Sequence, residues 1–206
     1  VYGLAANPTH AVEALRRAVA RAPQKFEPRL ELANSLDELG RTEEAVENYR
    51  RAIELRPLSG DALYNLGVVL NKLDRHEEAV AAFRQLLEGH PNDAEAWDSL
   101  AYTLGKVGRE GEALEAMGHA VGIDPDSHIF RYNRATVLQR LGRLGEAIEA
   151  LDAALALEPG FADALAEKAN VLSDLGDLDD ALPYYEQAIA AAPEVASAHF
   201  NRGICL

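Results

Sequence analysis

Chemistry in this chain would show first as grouped side chains able to hold a metal, a phosphate or an acyl intermediate. The histidines are His10, His76, His90, His119, His128 and His199, and no two lie three or four residues apart. That spacing gives no pair that could share a metal on one helix face. Gly105, Gly108 and Gly111 form a Gly-x-x-Gly-x-x-Gly run of the kind that cradles phosphate. The run lacks a Gly-Lys-Ser/Thr ending, and no strand pattern precedes it. The acidic pairs Glu43–Glu44, Glu77–Glu78 and Asp179–Asp180 could in principle serve as acid and base. They recur at one place, the start of a helical pattern, where they complement the positive helix end. No Gly-x-Ser-x-Gly nucleophile turn occurs, and the single cysteine, Cys205, stands next to the last residue. The segment therefore reads as non-enzymatic, with no metal and no cofactor.

A second set of residues fits binding chemistry. Tyr64, Asn65 and Lys72, then Tyr102 and Lys106, then Tyr132, Asn133 and Arg140 recur in similar order along the chain. Asparagine amides donate to and accept from a peptide backbone. Tyrosine supplies flat apolar surface with a polar tip. Lysine and arginine take carboxylates. The arginine-rich stretch RYNRATVLQRLGR, from Arg131 to Arg143, surrounds one part of this set. Such side chains act together only if the elements beneath them repeat.

They do repeat. Pro23, Pro57, Pro91, Pro125, Pro159 and Pro193 are spaced by 34 residues. Alanine keeps the same step at Ala11, Ala45, Ala79, Ala113, Ala147 and Ala181, and leucine at Leu36, Leu70, Leu104, Leu138, Leu172 and Leu206. A small residue recurs at Ala33, Gly67, Ala101, Ala135, Ala169 and Gly203, where two helices must approach closely. Proline ends a helix because it lacks the N–H and its ring clashes with the preceding turn. Gly40, Gly108, Gly142 and Gly176 suit a left-handed residue closing the first helix of each unit, with Asp74 in the equivalent place. Ser59, Asp93 and Ser127 stand where a helix N-cap is wanted. Each unit then holds two antiparallel helices, and one such pair cannot bury its own apolar face.

This pattern resembles the tetratricopeptide repeat family over nearly the whole chain. LYNLGVVLNKLDRHEEAVAAFRQLLEGHP (63–91) and RYNRATVLQRLGRLGEAIEALDAALALEP (131–159) carry its signature. The resemblance implies an all-α fold, an α-solenoid wound as a right-handed superhelix of antiparallel helix pairs. Full repeats are expected at 26–59, 60–93, 94–127, 128–161 and 162–195. Partial repeats are expected at 1–25 and 196–206, all in one continuous repeat domain. Two departures stand out: Leu86 replaces the alanine of Ala52, Ala120, Ala154 and Ala188, and the early aromatic appears only as Trp97.

On a helical wheel of about 100° per residue, positions 4, 7, 8, 11 and 14 of each first helix share a packing side. Positions 2, 5, 6, 9, 12 and 13 share the opposite side. In the family that second side lines a concave groove for a peptide or partner segment. Its formal charge, unit by unit, runs −4, 0, −1, +1 and −3. The acidic ends flank a middle carrying Tyr64, Asn65, Lys72, Tyr102, Lys106, Tyr132, Asn133 and Arg140. Asn65, Asn133 and Asn201 occupy the groove-asparagine position of the protein O-glycosyltransferase superhelices, with Glu31, Ser99 and Glu167 interrupting the row. Co-chaperones of this family grip acidic tails with a lysine at position 5. That position here holds Leu30, Tyr64, Asp98, Tyr132, Ala166 and Phe200, so the clamp is absent. Arg134 falls in a packing column with Leu32, Leu66, Leu100, Lys168 and Arg202, where long stems can cover the neighbouring helix while the charge reaches water. Arg131 reads the same way.

Charge narrows the partners. The 206 residues carry 20 basic and 34 acidic side chains, a formal net charge of −14. Such a balance has no general attraction for nucleic acid or anionic lipid. No apolar run approaches the roughly 20 residues of a spanning helix, so no membrane insertion is expected. A protein or peptide partner remains, and cytoplasmic placement suits a chain with one cysteine. Tyr2 and Leu206 both fall in packing columns, so the chain starts and stops mid-repeat. That implies a longer protein or self-association through uncapped ends. The expected function is a scaffold that holds a peptide in the groove. The alternatives are the substrate-recognition arm of a larger enzyme, a glycosyltransferase or sulfotransferase, and a self-assembling structural repeat.

Overall fold

The computed structural model describes residues 8–193 and 200–203. The positions of Val1, Tyr2, His199, Cys205 and Leu206, and with them the reading of mid-repeat ends, lie outside the described residues. The helices are α1 (Pro8–Arg21), α2 (Phe26–Glu38), α3 (Thr42–Leu55), α4 (Gly60–Lys72), α5 (His76–Gly89), α6 (Ala94–Lys106), α7 (Glu110–Ile123), α8 (His128–Arg140), α9 (Leu144–Leu157), α10 (Ala162–Leu175) and α11 (Leu178–Ala191). Every first helix from α2 to α10 begins at the same repeat position, and so does every second helix from α3 to α11. No strand occurs among the described residues. Among them, no helix is long and apolar enough to cross a membrane.

The local reasons are visible at the turns. Gly40, Gly108, Gly142 and Gly176 have φ of 71°, 74°, 71° and 87°. Behind them the N–H groups of Arg41, Arg143 and Asp177 reach back to the carbonyls of Leu36, Leu138 and Leu172 at 2.9 Å each. This is the Schellman closure, which satisfies helix-end carbonyls. Asp74 takes the same left-handed conformation at φ 56°, and Arg75 N–H bonds Leu70 O at 2.9 Å. Ser59 Oγ, Asp93 Oδ1 and Ser127 Oγ accept from the N–H of Ala62, Ala96 and Phe130 at 3.5, 2.9 and 3.2 Å. Each satisfies a helix-start donor.

The chain falls into two compact units, Val1–Val107 and Gly108–Leu206. In the first, successive helices from α1 to α6 pack on one another, and the first helices α2, α4 and α6 are also direct neighbours in turn. In the second, α7 to α11 pack in the same succession. The second-helix core is the alanine column (Ala45, Ala79, Ala113, Ala147, Ala181) with Tyr49, Phe83, Met117, Leu151 and Tyr185, all essentially inaccessible. First helices bury more than the wheel predicts. Position 10 (Val69, Thr103, Val137, Val171) and position 3 (Ala62, Ala96, Phe130, Ala164) are buried, because neighbours cover the helix on two sides. Position 14, counted as packing, ends with Leu141 and Leu175 exposed.

Side-chain volume is exchanged between the helices of a pair. Phe26 fills the space beside Ala52 and Ala62. One repeat later the bulk moves to the second helix. Leu86 occupies the alanine position, and a Cβ added at Gly60 would stand 3.7 Å from Leu86 Cδ1. The Leu86 substitution is thus matched locally and does not disturb the stack. Gly67 shows the closest approach, with an added Cβ only 2.6 Å from Phe83 Cζ.

Candidate partner-binding groove

The tyrosine, asparagine and cation columns all lie on first helices, on the face left after packing. In the first unit, Tyr64 and Asn65 of α4 are half-buried, whereas Lys72 of α4 and Tyr102 and Lys106 of α6 are exposed. In the second unit, Tyr132 and Asn133 of α8 are half-buried and Arg140 is exposed. The eight residues fall in two groups, one per unit.

Most are engaged inside the fold. Lys72 Nζ donates to both Asp37 carboxylate oxygens, at 2.8 and 3.0 Å. Lys106 Nζ sits 5.1 Å from the Tyr102 ring centroid, within cation–π range. Arg140 Nη1 lies 3.5 Å from Glu110 Oε1. Tyr64 meets Phe83 edge-on at 5.9 Å, and its phenol oxygen accepts from Ser99 Oγ at 3.4 Å. Tyr132 meets Phe161 edge-on at 5.2 Å. Burial there, with the charges of Glu167 and Asp163, holds the Tyr132 phenol above its ordinary pKa.

A repeated hydrogen-bond relay emerges at positions the sequence does not pair. Asn34 Oδ1 accepts from Tyr49 OH at 2.7 Å and from Asn65 Nδ2 at 3.1 Å. Four repeats on, Asn170 Oδ1 accepts from Tyr185 OH at 2.8 Å and from Asn201 Nδ2 at 2.9 Å. Where the second-helix residue is apolar, as at Phe83, Met117 and Leu151, the asparagine gives way to Val68, Tyr102 and Thr136. Asn65 and Asn201 therefore each tie their own repeat to the asparagine of the preceding one. Burial drives the Tyr49 phenol well above its usual pKa, with the nearby charge of Asp37 adding to the effect. A signal was present: tyrosine at repeat position 24 occurs only where position 9 is asparagine.

One cation reading changes, at Lys168, while Arg131, half-buried, gains a backbone partner. Its Nε and Nη2 donate to Pro125 O at 3.0 and 2.7 Å. Trp97 Nε1 makes the same bond to Pro91 O at 2.9 Å, and Arg29 Nη2 a longer one to Pro23 O at 3.4 Å. Lys168 keeps its ammonium inside, only 7% exposed. It pairs with Asp152 and donates to Tyr184 OH at 2.7 Å. Burial opposes its charge, but the bonds to Asp152 and Tyr184 outweigh that and raise its pKa. Arg134 stays in the packing column, with Nε buried.

The surface is open. In the first unit a recess of about 500 Å³ is lined by Leu30, Glu31, Asn34, Gly60, Asp61, Tyr64, Asn65, His90, Asp93 and Glu95. In the second, a recess of about 410 Å³ is lined by Gln139, Glu167, Asn170, Ser173, Asp174, Tyr185 and Asn201. Among the described residues, no group of His, Cys, Asp and Glu is arranged to hold a metal.

Comparison with known proteins agrees with this geometry. Models described as tetratricopeptide repeat match residues 30–97 and 166–206, 94–127 and 129–161. No curated protein sequence matches the chain significantly. Among solved structures, YrrB, described as a tetratricopeptide repeat protein with an unusual peptide-binding site, aligns with a TM-score of 0.76 at 24% identity. The alignment covers 93% of this chain and 99% of that one. A tetratricopeptide repeat protein from Parabacteroides merdae aligns with a TM-score of 0.80 at 17% identity, covering 97% of this chain and 79% of that one. TTC0263 of Thermus thermophilus aligns with a TM-score of 0.65 at 24% identity, covering 88% and 98%. These likenesses concern the fold. With the 34-residue register of its helix pairs and the family models that match most of its length, the chain belongs to the tetratricopeptide repeat family.

Proposed function

We propose that this protein is an interaction scaffold that holds an extended peptide or partner segment on the groove face of its first helices. The observation that supports this most directly is the recess of about 500 Å³ across α2, α4 and α6, which joins aromatic, amide and charged side chains in one open surface. An extended backbone needs amide partners and flat apolar contact, which Asn65 and Tyr64 supply in the first unit and Asn133 and Tyr132 in the second. Lys72, Lys106 and Arg140 add cations at equivalent places. YrrB, similar in fold, is described as having a peptide-binding site.

A peptide array probed with the wild type and with Tyr64→Ala plus Asn65→Ala tests the reading. Thermal unfolding serves as the folding control, because Tyr64 also packs on Phe83 and Asn65 bonds Asn34. The expected outcome is loss of most array signal with the melting transition retained. An unchanged array would place the binding surface elsewhere.

A further inference from the structure

Two neighbouring turns of the second unit follow one pattern with opposite charge. Residues 140–144 read Arg-Leu-Gly-Arg-Leu, and residues 174–178 read Asp-Leu-Gly-Asp-Leu. They join α8 to α9 and α10 to α11. Gly142 and Gly176 are both left-handed, at φ 71° and 87°. Arg143 and Asp177 close their turns alike, each N–H donating to a leucine carbonyl at 2.9 Å. Because α9 packs on both α8 and α10, the two turns lie side by side on one edge of the unit.

The leucines of this edge stay largely outside the core. Leu141, Leu175 and Leu178 are 37%, 48% and 37% exposed, and Leu144 is half-buried. Two turns of the first unit carry Leu39 with Thr42 and Leu73 with His76 in the same places, with both leucines half-buried. The doubled, exposed leucine therefore marks the second unit. Its charges are open to further contact. Arg143 pairs with Glu146 at 2.6 Å and Arg140 lies 3.5 Å from Glu110, yet their side chains remain 46% and 40% exposed. A guanidinium has five donors and can take a second carboxylate. Asp174 and Asp177 are exposed, and among the described residues neither has a cation within ion-pair distance. Asp179 and Asp180, also exposed, deepen the negative charge of that strip.

A basic apolar strip beside an acidic apolar strip is complementary to itself after a half-turn rotation, which is the requirement of a two-fold interface. We infer that this edge joins two copies of the chain, the 140–144 turn of each lying on the 174–178 turn of the other. Arginines then meet aspartates at both ends of the contact, and the leucines of the two copies cover one another. The inference goes beyond the groove-binding reading and does not depend on it, although Arg140 belongs to both surfaces. Two turns per copy make a contact smaller than the roughly 1,600 Å² of a standard interface, so the dimer is weak and concentration-dependent.

Sedimentation equilibrium in about 0.15 M sodium chloride, where the Debye length of about 8 Å screens the distant repulsion between two acidic copies, tests this. Arg140→Asp with Arg143→Asp makes both turns acidic, and Asp174→Arg with Asp177→Arg makes both basic. The wild type is expected to dimerise between about 10 μM and 1 mM, and each variant alone to self-associate at least about tenfold more weakly. An equimolar mixture of the two variants is expected to form a heterodimer within about threefold of wild-type affinity, since each acidic turn then faces a basic one. A mixture that stays monomeric, with both variants folded by thermal unfolding, overturns the inference. So does a wild type that is monomeric at about 1 mM, or a dimer that persists in either variant alone, which would lie on another face. Leu141→Gln with Leu175→Gln, at exposed positions, gives an independent reading if a charge variant does not fold. It is expected to weaken the dimer at least about fivefold, and an unchanged affinity overturns the inference as well.

Discussion

At the residue scale, the tightest constraint is the contact between Gly67 and Phe83. Each repeat offers a small residue on its first helix to a large one on its second, and only here is the small residue glycine opposite a phenylalanine. Phe83 is fully buried, so its ring has nowhere to turn. An alanine at position 67 would gain about 1 kcal/mol of helix propensity. It would also force a methyl to within 2.6 Å of the ring, and overpacking of that kind costs about 1–3 kcal/mol. The steric term wins. Gly67→Ala is expected to lower the midpoint of chemical unfolding. Adding Phe83→Leu, which recreates the pairing of Ala135 with Leu151, should recover part of the loss. A Gly67→Ala protein as stable as wild type would mean that the two helices separate at little cost.

At the element scale, α11 stands out among the described helices by a proline in its interior. Pro183 lies inside it, on the exposed side. The ring removes an N–H that would bond the carbonyl four residues back, at a cost of up to about 3 kcal/mol in a helix interior. Some of that is offset because proline also restricts the unfolded chain, by about 0.4–1 kcal/mol. Pro183→Ala is therefore expected to stabilise the second unit, raising the melting temperature by several degrees and slowing amide exchange along α11. An unchanged melting temperature would show that the helix absorbs the ring without strain. Helix starts, turn glycines and the alanine and leucine columns were legible in the sequence, because each repeats one physical requirement at a fixed period. The N-caps at Ser59, Asp93 and Ser127 were legible for the same reason. The burial of positions 3 and 10 was not, since a wheel treats each helix as having one covered side. Nor was the bond from Asn65 to Asn34, which joins residues of different repeats that no single-helix pattern relates. The use of the cations Lys72 and Arg140 was not legible either, because they find carboxylates in neighbouring elements.

At the scale of the whole molecule, charge is the property that every part shares. The net charge of −14 remains after the arginine–glutamate clamps have neutralised their own glutamates. Those clamps are local contacts that salt weakens only partly, whereas the excess negative charge repels over distances comparable to the Debye length of about 10 Å. Screening should therefore help more than it harms. Raising sodium chloride from about 0.02 M to about 0.3 M is expected to raise the melting temperature by a few degrees, because the Debye length shortens to less than about 8 Å. A fall would show that the clamps outweigh the repulsion. The bonds from Arg29, Trp97 and Arg131 to the carbonyls of Pro23, Pro91 and Pro125 bear on how such a molecule is copied. Each ties the start of one helix pair to the last residues of the preceding pair. A stretch copied from helix start to helix start carries its donor and relies on the proline that ends the preceding unit for the acceptor. A stretch running from proline to proline carries both halves of the bond, and it is the smallest piece of this chain that brings its own joint with it.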